Sequence, residues 1–239
     1  MFTLMLPVLL LVLFGTIFSG TIEGTTVDYR QVFTVGILAS GIMSVSFSSL
    51  AISIAIERDD GTLRRLSTTP MPKAAYFLGK LVLVLATGVA EVVVLLALGV
   101  ALFGLDLPAT PGRWVTFVWV FVLGIVACSL IGIAYSRLAP NARSASAVVQ
   151  PPYIALQFIS GVFFLYSDLP KVLQQIAALF PLKWLAQGLR AVFLPDSFAV
   201  TEVTGSYELG RVALVLGLWC AAGFVLCLTT FRWSSDRER

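Results

Sequence analysis

The sequence offers few side chains that could carry out covalent chemistry. It contains no histidine, so the commonest general base and a frequent metal ligand are both missing. Its three cysteines, Cys128, Cys220 and Cys227, all lie within apolar segments. That setting is typical of small buried hydrophobic residues, not of a disulfide set or a zinc site. With no nucleophile–base pair and no metal cluster, we predict no catalytic residues, no metal or cofactor site in this chain, and no enzyme.

Charge is concentrated in the run 57–73, ERDDGTLRRLSTTPMPK, which separates two long apolar segments. Acidic residues at the start of a helix and basic residues near its end both suit the helix dipole. Leucines three residues apart share a helix face, and proline ends a helix. The residues that fit this pattern are Asp59, Asp60, Leu63, Arg64, Arg65, Leu66, Pro70 and Pro72. The run therefore predicts a short amphipathic helix, which either only fixes the topology of the chain or docks onto a partner.

Polar side chains within the apolar segments are candidates for contact with a cargo. Glu91 lies near the middle of the third segment, where it could attract a cationic substrate, bind a proton, or form a structural hydrogen bond. Ser40, Ser44 and Ser48 are four residues apart on one helix face. They favour either close helix packing or a polar wall along a substrate path, and Gln157 raises the same choice.

Composition explains why such side chains are scarce. The chain has 239 residues, of which 58% are hydrophobic and 12% are charged, whereas a soluble domain carries about 25% charged residues. The net charge of +3, without a basic cluster interleaved with aromatic residues, argues against nucleic acid binding. We therefore expect an integral membrane protein whose surroundings are the lipid bilayer.

Six apolar runs approach the roughly 20 residues that a spanning helix requires. They are 2–19, 32–56, 75–103, 114–136, 147–166 and 209–231. The first run lacks the basic region and cleavage site of a signal peptide, so we expect it to be retained. These runs predict an all-α integral membrane protein with six transmembrane helices in a single domain, 1–239.

Basic residues predict the orientation of the chain in the membrane. One set of short loops, with the C-terminus, carries most of them: Arg58, Arg64, Arg65, Lys73, Arg137, Arg143, Arg232, Arg237 and Arg239. The opposite short loops carry only Arg30 and Arg113. Both termini are therefore predicted to lie in the cytoplasm.

The segment 168–195 contains two further helical patterns, each too short to cross a bilayer. Asp168 suits a helix N-cap with Pro170 in the first turn, and Pro181 begins a second stretch. In that second stretch apolar residues share one face, with Lys183, Gln187 and Arg190 elsewhere. The segment predicts an extracytoplasmic re-entrant or amphipathic helical hairpin at the outer interface.

The run ERDDGTLRRLSTTPMPKAAYFLGK resembles the cytoplasmic signature of ATP-binding-cassette (ABC) type-2 exporter permeases, in particular the daunorubicin-resistance-like branch. The matching residues are Glu57, Arg58, Gly61, Thr62, Leu63, Leu66, Thr69, Pro70, Tyr76, Gly79 and Lys80. The outer segment is similar to the fifth span and re-entrant helices of the same family. It matches at Ser160, Gly161, Leu169, Pro170, Pro181, Leu182 and Arg190.

This resemblance implies a permease subunit of an ATP-driven exporter in the bacterial cytoplasmic membrane, moving a hydrophobic drug, antibiotic or lipid-like substrate. The sequence has no GxxxxGK motif, so ATP and Mg would be bound by a partner ATPase subunit. A second copy or a related permease would complete the translocation path. The helix after the second span, 57–70, would seat in a groove of the ATPase.

In that docked helix, Leu63 and Leu66 would form a buried anchor within a charged rim. The expected coupling residues are Glu57, Arg58, Gly61, Thr62, Leu63, Arg64, Arg65, Leu66 and Pro70.

An ion-gradient-driven secondary transporter is the alternative, although such proteins usually show internal repeats and several intramembrane charges. The chain departs from the family in one respect. Members generally begin with a cytoplasmic amphipathic helix, whereas Met1 here opens directly onto apolar sequence, which predicts a truncated or misassigned start.

Overall fold

A computed structural model describes residues 2–17, 20–22, 24–70 and 72–230 of the chain. The predicted ends of the first and last spans, Met1 and the arginines after residue 230 lie outside these ranges. The helices are α1 Phe2–Ile17, α2 Tyr29–Met43, α3 Leu50–Asp59, α4 Thr62–Ser67, α5 Lys73–Phe103, α6 Pro111–Tyr135, α7 Ala142–Ile159, α8 Lys171–Ala178, α9 Pro181–Phe193 and α10 Leu209–Thr230.

Four helices in the described part of the chain are long and apolar enough to cross a membrane. They are Tyr29–Asp59, Ala75–Phe103, Pro111–Leu138 and Leu209–Thr229. The apolar part of α1, Met5–Ile17, is shorter, and α7 is not among the four. The all-helical membrane architecture is therefore confirmed, whereas the count of six spans stays a prediction.

The first of these spanning helices, Tyr29–Asp59, lies at the centre of the protein, and we call it the central helix. It joins α2 and α3 through a π-helical turn, Ser44–Ser49, and 89% of its most apolar stretch is buried, against 22% for α10. Gly132 of α6 packs against this turn, where a Cβ atom would lie 2.8 Å from the carbonyl oxygen of Phe47. A residue without a side chain thus lets two backbones approach closely, as is common between membrane helices.

The hairpin formed by α8 and α9 bends by 92° at Leu179 and Phe180. Pro170 precedes α8 as its N-cap residue and Pro181 is in the first turn of α9, whereas Asp168 lies in a separate short turn. The predicted proline positions are therefore close to those observed, but Asp168 does not cap α8.

Every residue of α9 is buried, which argues against the first of the two predicted alternatives, an amphipathic helix at the interface, and leaves the re-entrant hairpin as a prediction. The reason is that its polar side chains have partners inside the protein. Arg190 forms an ion pair with Glu202, Lys183 donates a hydrogen bond to Gln187, and Gln187 donates to the carbonyl oxygen of Tyr207. Buried polar groups that are paired in this way cost little, so α9 packs among α2, α6 and α10.

Candidate functional site

The segment 57–70 contains the end of α3 and the separate helix α4, not the single helix 57–70 that the sequence predicts. Helix α3 continues to Asp59, Gly61 adopts a left-handed conformation with φ 77°, and α4 covers only Thr62–Ser67. The carboxylate of Asp60 accepts a hydrogen bond from the Thr62 backbone N–H at 2.9 Å. Hydrogen bonds from Thr62 lower the pKa of Asp60, which keeps this carboxyl group ionised. We call 57–70 the coupling element.

The leucines of α4 face this chain itself. Leu63 has 0% of its surface exposed and belongs to the hydrophobic core, and Leu66 is half-buried against the same core. This corrects the expectation that Leu63 is available to enter a groove in a partner. The face of α4 that remains open to a partner carries Arg64 and Arg65, whose side chains are exposed.

Glu57 links the end of α3 to the start of α5. Its carboxylate forms an ion pair with Lys80 and accepts hydrogen bonds from the hydroxyl groups of Tyr76, at 2.7 Å, and Ser53, at 3.1 Å. Lys80 also donates to the hydroxyl oxygen of Ser53 at 2.9 Å. This network joins the end of α3 to the start of α5, on either side of α4. It directs Glu57 inwards, away from the charged rim in which the sequence predicts it.

The next two residues link the same helix end to α6 and α7. The guanidinium of Arg58 donates to the carbonyl oxygens of Ser136, at 3.1 Å, and Ala139, just after the end of α6. The carboxylate of Asp59 accepts a hydrogen bond from the backbone N–H of Ala142, the first residue of α7, at 2.9 Å. Three consecutive side chains, Glu57, Arg58 and Asp59, therefore connect the coupling element to three different helices.

A half-open groove of about 610 Å³ lies between α1, the central helix and α7. Its polar lining includes the hydroxyl-bearing residues Ser44, Ser48 and Tyr153, together with Gln150, whose amide donates to the Ser48 hydroxyl at 3.2 Å. Its apolar lining includes Met5, Leu6, Leu9, Ile52 and Ile56. We call this space the serine groove.

Ser40 lies behind the wall of the serine groove. Its side chain is 2% exposed, and its hydroxyl lies 3.1 Å from the hydroxyl of Tyr153. Tyr153 also donates to the Ser40 backbone carbonyl at 3.2 Å. The structure therefore places Ser44 and Ser48 at the groove surface and uses Ser40 to hold Tyr153.

Glu91 packs against the central helix but does not line the serine groove. Its side chain is 0% exposed, and its carboxyl group sits where a Cβ atom on Gly41 would be 2.7 Å from it. Neither oxygen has a hydrogen-bond partner among the described residues, and the amide nitrogen of Gln157 is likewise buried without one there. The structure thus shows no structural hydrogen bond for Glu91.

The long apolar helices and the buried central helix define a multi-pass helical membrane protein. A family model described as ABC-2 type transporter matches residues 1–194. Because the match covers most of the 239 residues, the chain belongs to the ABC-2 type transporter family. This membrane domain is a transport permease that lacks an ATPase domain of its own, and the family typically works with an ABC ATPase. No curated protein matches the sequence.

The sequence pattern alone does not assign the roles of two site residues. It predicts that Asp59 caps the coupling helix, whereas the hydrogen-bond partner of Asp59, Ala142, is 83 residues away in the sequence. Tyr153 lies outside the polar run, and its spacing from Gln150 and Gln157 is that of one helix face. That spacing is the signal by which Tyr153 could have been found.

Proposed function

We propose that the chain is the membrane-spanning permease of an ATP-driven exporter, powered by a separate ABC ATPase that binds ATP and Mg. The observation that supports this most strongly is the arrangement of Glu57, Arg58 and Asp59 described above. Force applied to the exposed face of α4 would be transmitted to α5, α6 and α7 at once. A polar loop that only fixed topology would require no such connections.

The docking surface for the ATPase is the exposed part of the coupling element. Arg64 and Arg65 provide its positive charge, and Thr62 and Pro70 border it. Leu63 supports this surface from within by anchoring α4 to the core. An acidic groove on the ATPase would complement the two arginines, which sets partner choice more than affinity.

A second permease chain is proposed to complete the path, because the serine groove between α1, the central helix and α7 is only half enclosed. Helix α7 presents an exposed stripe of small and apolar residues at helical spacing: Ala147, Pro151, Ile154, Ala155 and Phe158. Small residues favour close helix contacts within a bilayer. Either a second copy or a related permease could cover this stripe.

The cargo path follows the serine groove, with Ser44, Ser48 and Tyr153 along its wall. Glu91 and Gln157 lie behind that wall and would meet a cargo only if the helices separate. A groove with mostly apolar walls and a few hydroxyl groups suits a hydrophobic drug, antibiotic or lipid-like substrate. The resemblance of the coupling run to the daunorubicin-resistance-like branch favours drug or antibiotic export.

The topology that accompanies this function has six spans in one domain, a re-entrant α8–α9 hairpin outside, and both termini inside a bacterial cytoplasmic membrane. Arg64, Arg65, Arg137 and Arg143 are all exposed near the coupling element. Their position supports a cytoplasmic location for this side of the protein.

The test is purification of the tagged chain from mild detergent, followed by identification of the chains that accompany it. We expect an ATPase with a GxxxxGK motif to co-purify, and reconstituted vesicles to move a hydrophobic dye only when ATP is present. The gradient-driven alternative predicts the reverse. Dye movement by the chain alone, driven by a pH or sodium gradient without ATP, would contradict the proposal.

A further inference from the structure

Two cavities and a small gap between them lie on the side of the protein opposite the coupling element. The first is a chamber of about 500 Å³ between the start of α2 and the turn that follows α7. Val32, Phe33, Val162, Phe163 and Phe164 line it, so its walls are mainly aromatic and aliphatic. We call it the aromatic chamber.

The second cavity is a more open groove of about 810 Å³ that adjoins the aromatic chamber. The two share Tyr29, Leu165, Asp168 and Leu169 in their linings. Beyond these shared residues the lining is mixed, with the polar residues Ser167, Lys171, Gln174, Thr201 and Glu202 and the apolar residues Ile22, Pro170, Val200 and Val203. We call it the polar groove, because it is more polar than the aromatic chamber. An apolar space thus adjoins a more polar one.

Arg190 lines the gap where these spaces meet. The gap has a volume of about 10 Å³ and shares Val32, Phe164 and Leu165 with the aromatic chamber and Leu165, Thr201 and Glu202 with the polar groove. Arg190 is 3% exposed, and its Nε and Nη1 atoms donate to Glu202 and to the Gly161 carbonyl. Its Nη2 atom is buried without a partner in the described chain.

We propose that these connected spaces form a binding site for an amphiphile with an oxyanion headgroup, either a phosphate or a carboxylate. The unpartnered Nη2 is a cationic hydrogen-bond donor, so the group that satisfies it must be an acceptor, and an anionic acceptor binds it most strongly. The headgroup occupies the polar groove and the hydrocarbon chain occupies the aromatic chamber. The site is separate from the serine groove and does not depend on ATP coupling.

The volume of the gap decides how the headgroup sits. A space of about 10 Å³ lined by Arg190 admits one oxygen atom, while the rest of the headgroup remains in the polar groove. The polar groove itself is lined by one basic residue, Lys171, and two acidic ones, Asp168 and Glu202, so the attraction for an anion comes from the Arg190 guanidinium at the gap. Because Glu202 already pairs with the Arg190 Nε, the exposed Lys171 is the second cation that a headgroup can reach.

The first measurement uses the purified full chain in an uncharged detergent and counts bound molecules by native mass spectrometry. Dodecyl phosphate is the probe, with dodecanol and inorganic phosphate as the tail and head controls. We expect one dodecyl phosphate per chain, bound about tenfold or more tightly than either control. Dodecanol lacks the charge-assisted hydrogen bond, and inorganic phosphate lacks the buried hydrocarbon chain.

Two variants test the contributions of the headgroup and the hydrocarbon chain to binding, and a third is the control. Arg190→Lys keeps a cation beside Glu202 but removes the Nη2 donor, and we expect about tenfold weaker binding of dodecyl phosphate. Phe164→Ser shortens the chamber wall at a side chain that is 53% exposed, so the fold is retained while binding weakens. Arg113→Lys alters an arginine that lines none of these cavities and leaves binding unchanged. Melting temperatures report whether each variant is folded.

Several results would overturn the proposal. One is equal binding by the wild type and by a folded Arg190→Lys variant, which would mean that only a water molecule satisfies Nη2. Another is inorganic phosphate that binds as tightly as dodecyl phosphate, with Phe164→Ser without effect. If Arg190→Lys does not fold, Lys171→Gln replaces it as the headgroup variant, and unchanged binding again contradicts the proposal.

The source of the ligand is identified by lipid extraction. An acidic phospholipid that co-purifies with the wild type and is lost from Arg190→Lys would make the bilayer the source. If no lipid co-purifies but dodecyl phosphate binds as expected, the site accepts an exported anionic amphiphile. Both results support an oxyanion amphiphile site.

Discussion

The coupling element and the α8–α9 hairpin are both short helical segments outside the long spans, yet they treat their charged residues in opposite ways. In the coupling element Arg64 and Arg65 stay exposed, while Leu63 is buried to hold them in place. In the hairpin Arg190 and Lys183 are 3% and 5% exposed. The comparison teaches that the same amphipathic sequence pattern can form either an exposed docking helix or a buried core helix. The charged side chains are buried only where the protein itself provides groups that pair with them.

The largest effect should come from breaking the buried pair of the hairpin. Glu202→Ala leaves Arg190 charged and unpaired in the interior, so we expect a loss of about 3–5 kcal/mol of stability. Thermal unfolding in detergent measures it. The control is Asp196→Ala, which removes the exposed partner of Arg113 and should cost under about 1 kcal/mol. Equal losses in the two variants would mean that the hairpin does not depend on its buried charges.

The next effect concerns the anchor of the coupling element. Leu63→Ala should cost about 2–5 kcal/mol, because Leu63 is fully buried. Leu63→Asp should abolish ATP-driven transport and stimulated ATPase activity while the protein still inserts into the membrane. Ser67→Asp, on the exposed face of the same helix, is the matched control for added charge. Normal transport by Leu63→Asp would remove the role of this leucine.

A smaller effect is expected where the coupling element meets α7. Asp59→Ala removes the acceptor for the Ala142 N–H, and loss of such a helix cap typically costs about 1 kcal/mol. The rate of ATP-driven transport should fall clearly although the loss of stability is small, because force would no longer reach α7. The ratio of ATP hydrolysed to dye moved measures this uncoupling. An unchanged ratio would show that the hydrogen bond is only structural.

The smallest effect on stability is expected for the exposed arginines. Replacing both Arg64 and Arg65 with alanine should change the free energy of unfolding by less than about 0.5 kcal/mol. The amount of ATPase that co-purifies should nevertheless fall about tenfold or more, if these residues supply the docking charge. The pair Arg137→Ala and Arg143→Ala is the control for general loss of basic charge. If the double variant of Arg64 and Arg65 retains the ATPase, that result would contradict the proposed docking surface.

Much of the architecture could be predicted from hydropathy, because long apolar runs such as 75–103 and 114–136 leave few alternatives to a spanning helix. The burial of α9 in the hairpin could not be predicted. Its second helix has the periodicity of an interfacial helix, and its burial depends on Glu202, which lies 12 residues beyond Arg190 in an irregular segment. Pairings of that kind are set by tertiary structure and leave no periodic signal.

The charge density of the coupling element and its resemblance to a family motif predict where it lies in the sequence. They do not predict which way its side chains point. A leucine pair on a helix as short as α4 can face a partner or the core, and the pattern is identical in both cases. The hydrogen bond between Asp59 and Ala142 joins distant parts of the sequence, so no local pattern predicts it. The sequence therefore located the element but not its contacts.

The π-helical turn Ser44–Ser49 divides the central helix between its N-terminal half, with Ser40 and Gly41, and its C-terminal half, which leads to Glu57. A π turn holds about one residue more than an α turn, so it absorbs an extra residue within the helix. Removing one residue there would let the turn relax to α-helix with Glu57, Arg58 and Asp59 close to their present orientation. Removing one residue from the α-helical part of α3 would instead rotate one side of the deletion by about 100° relative to the other, and take these three side chains away from their partners.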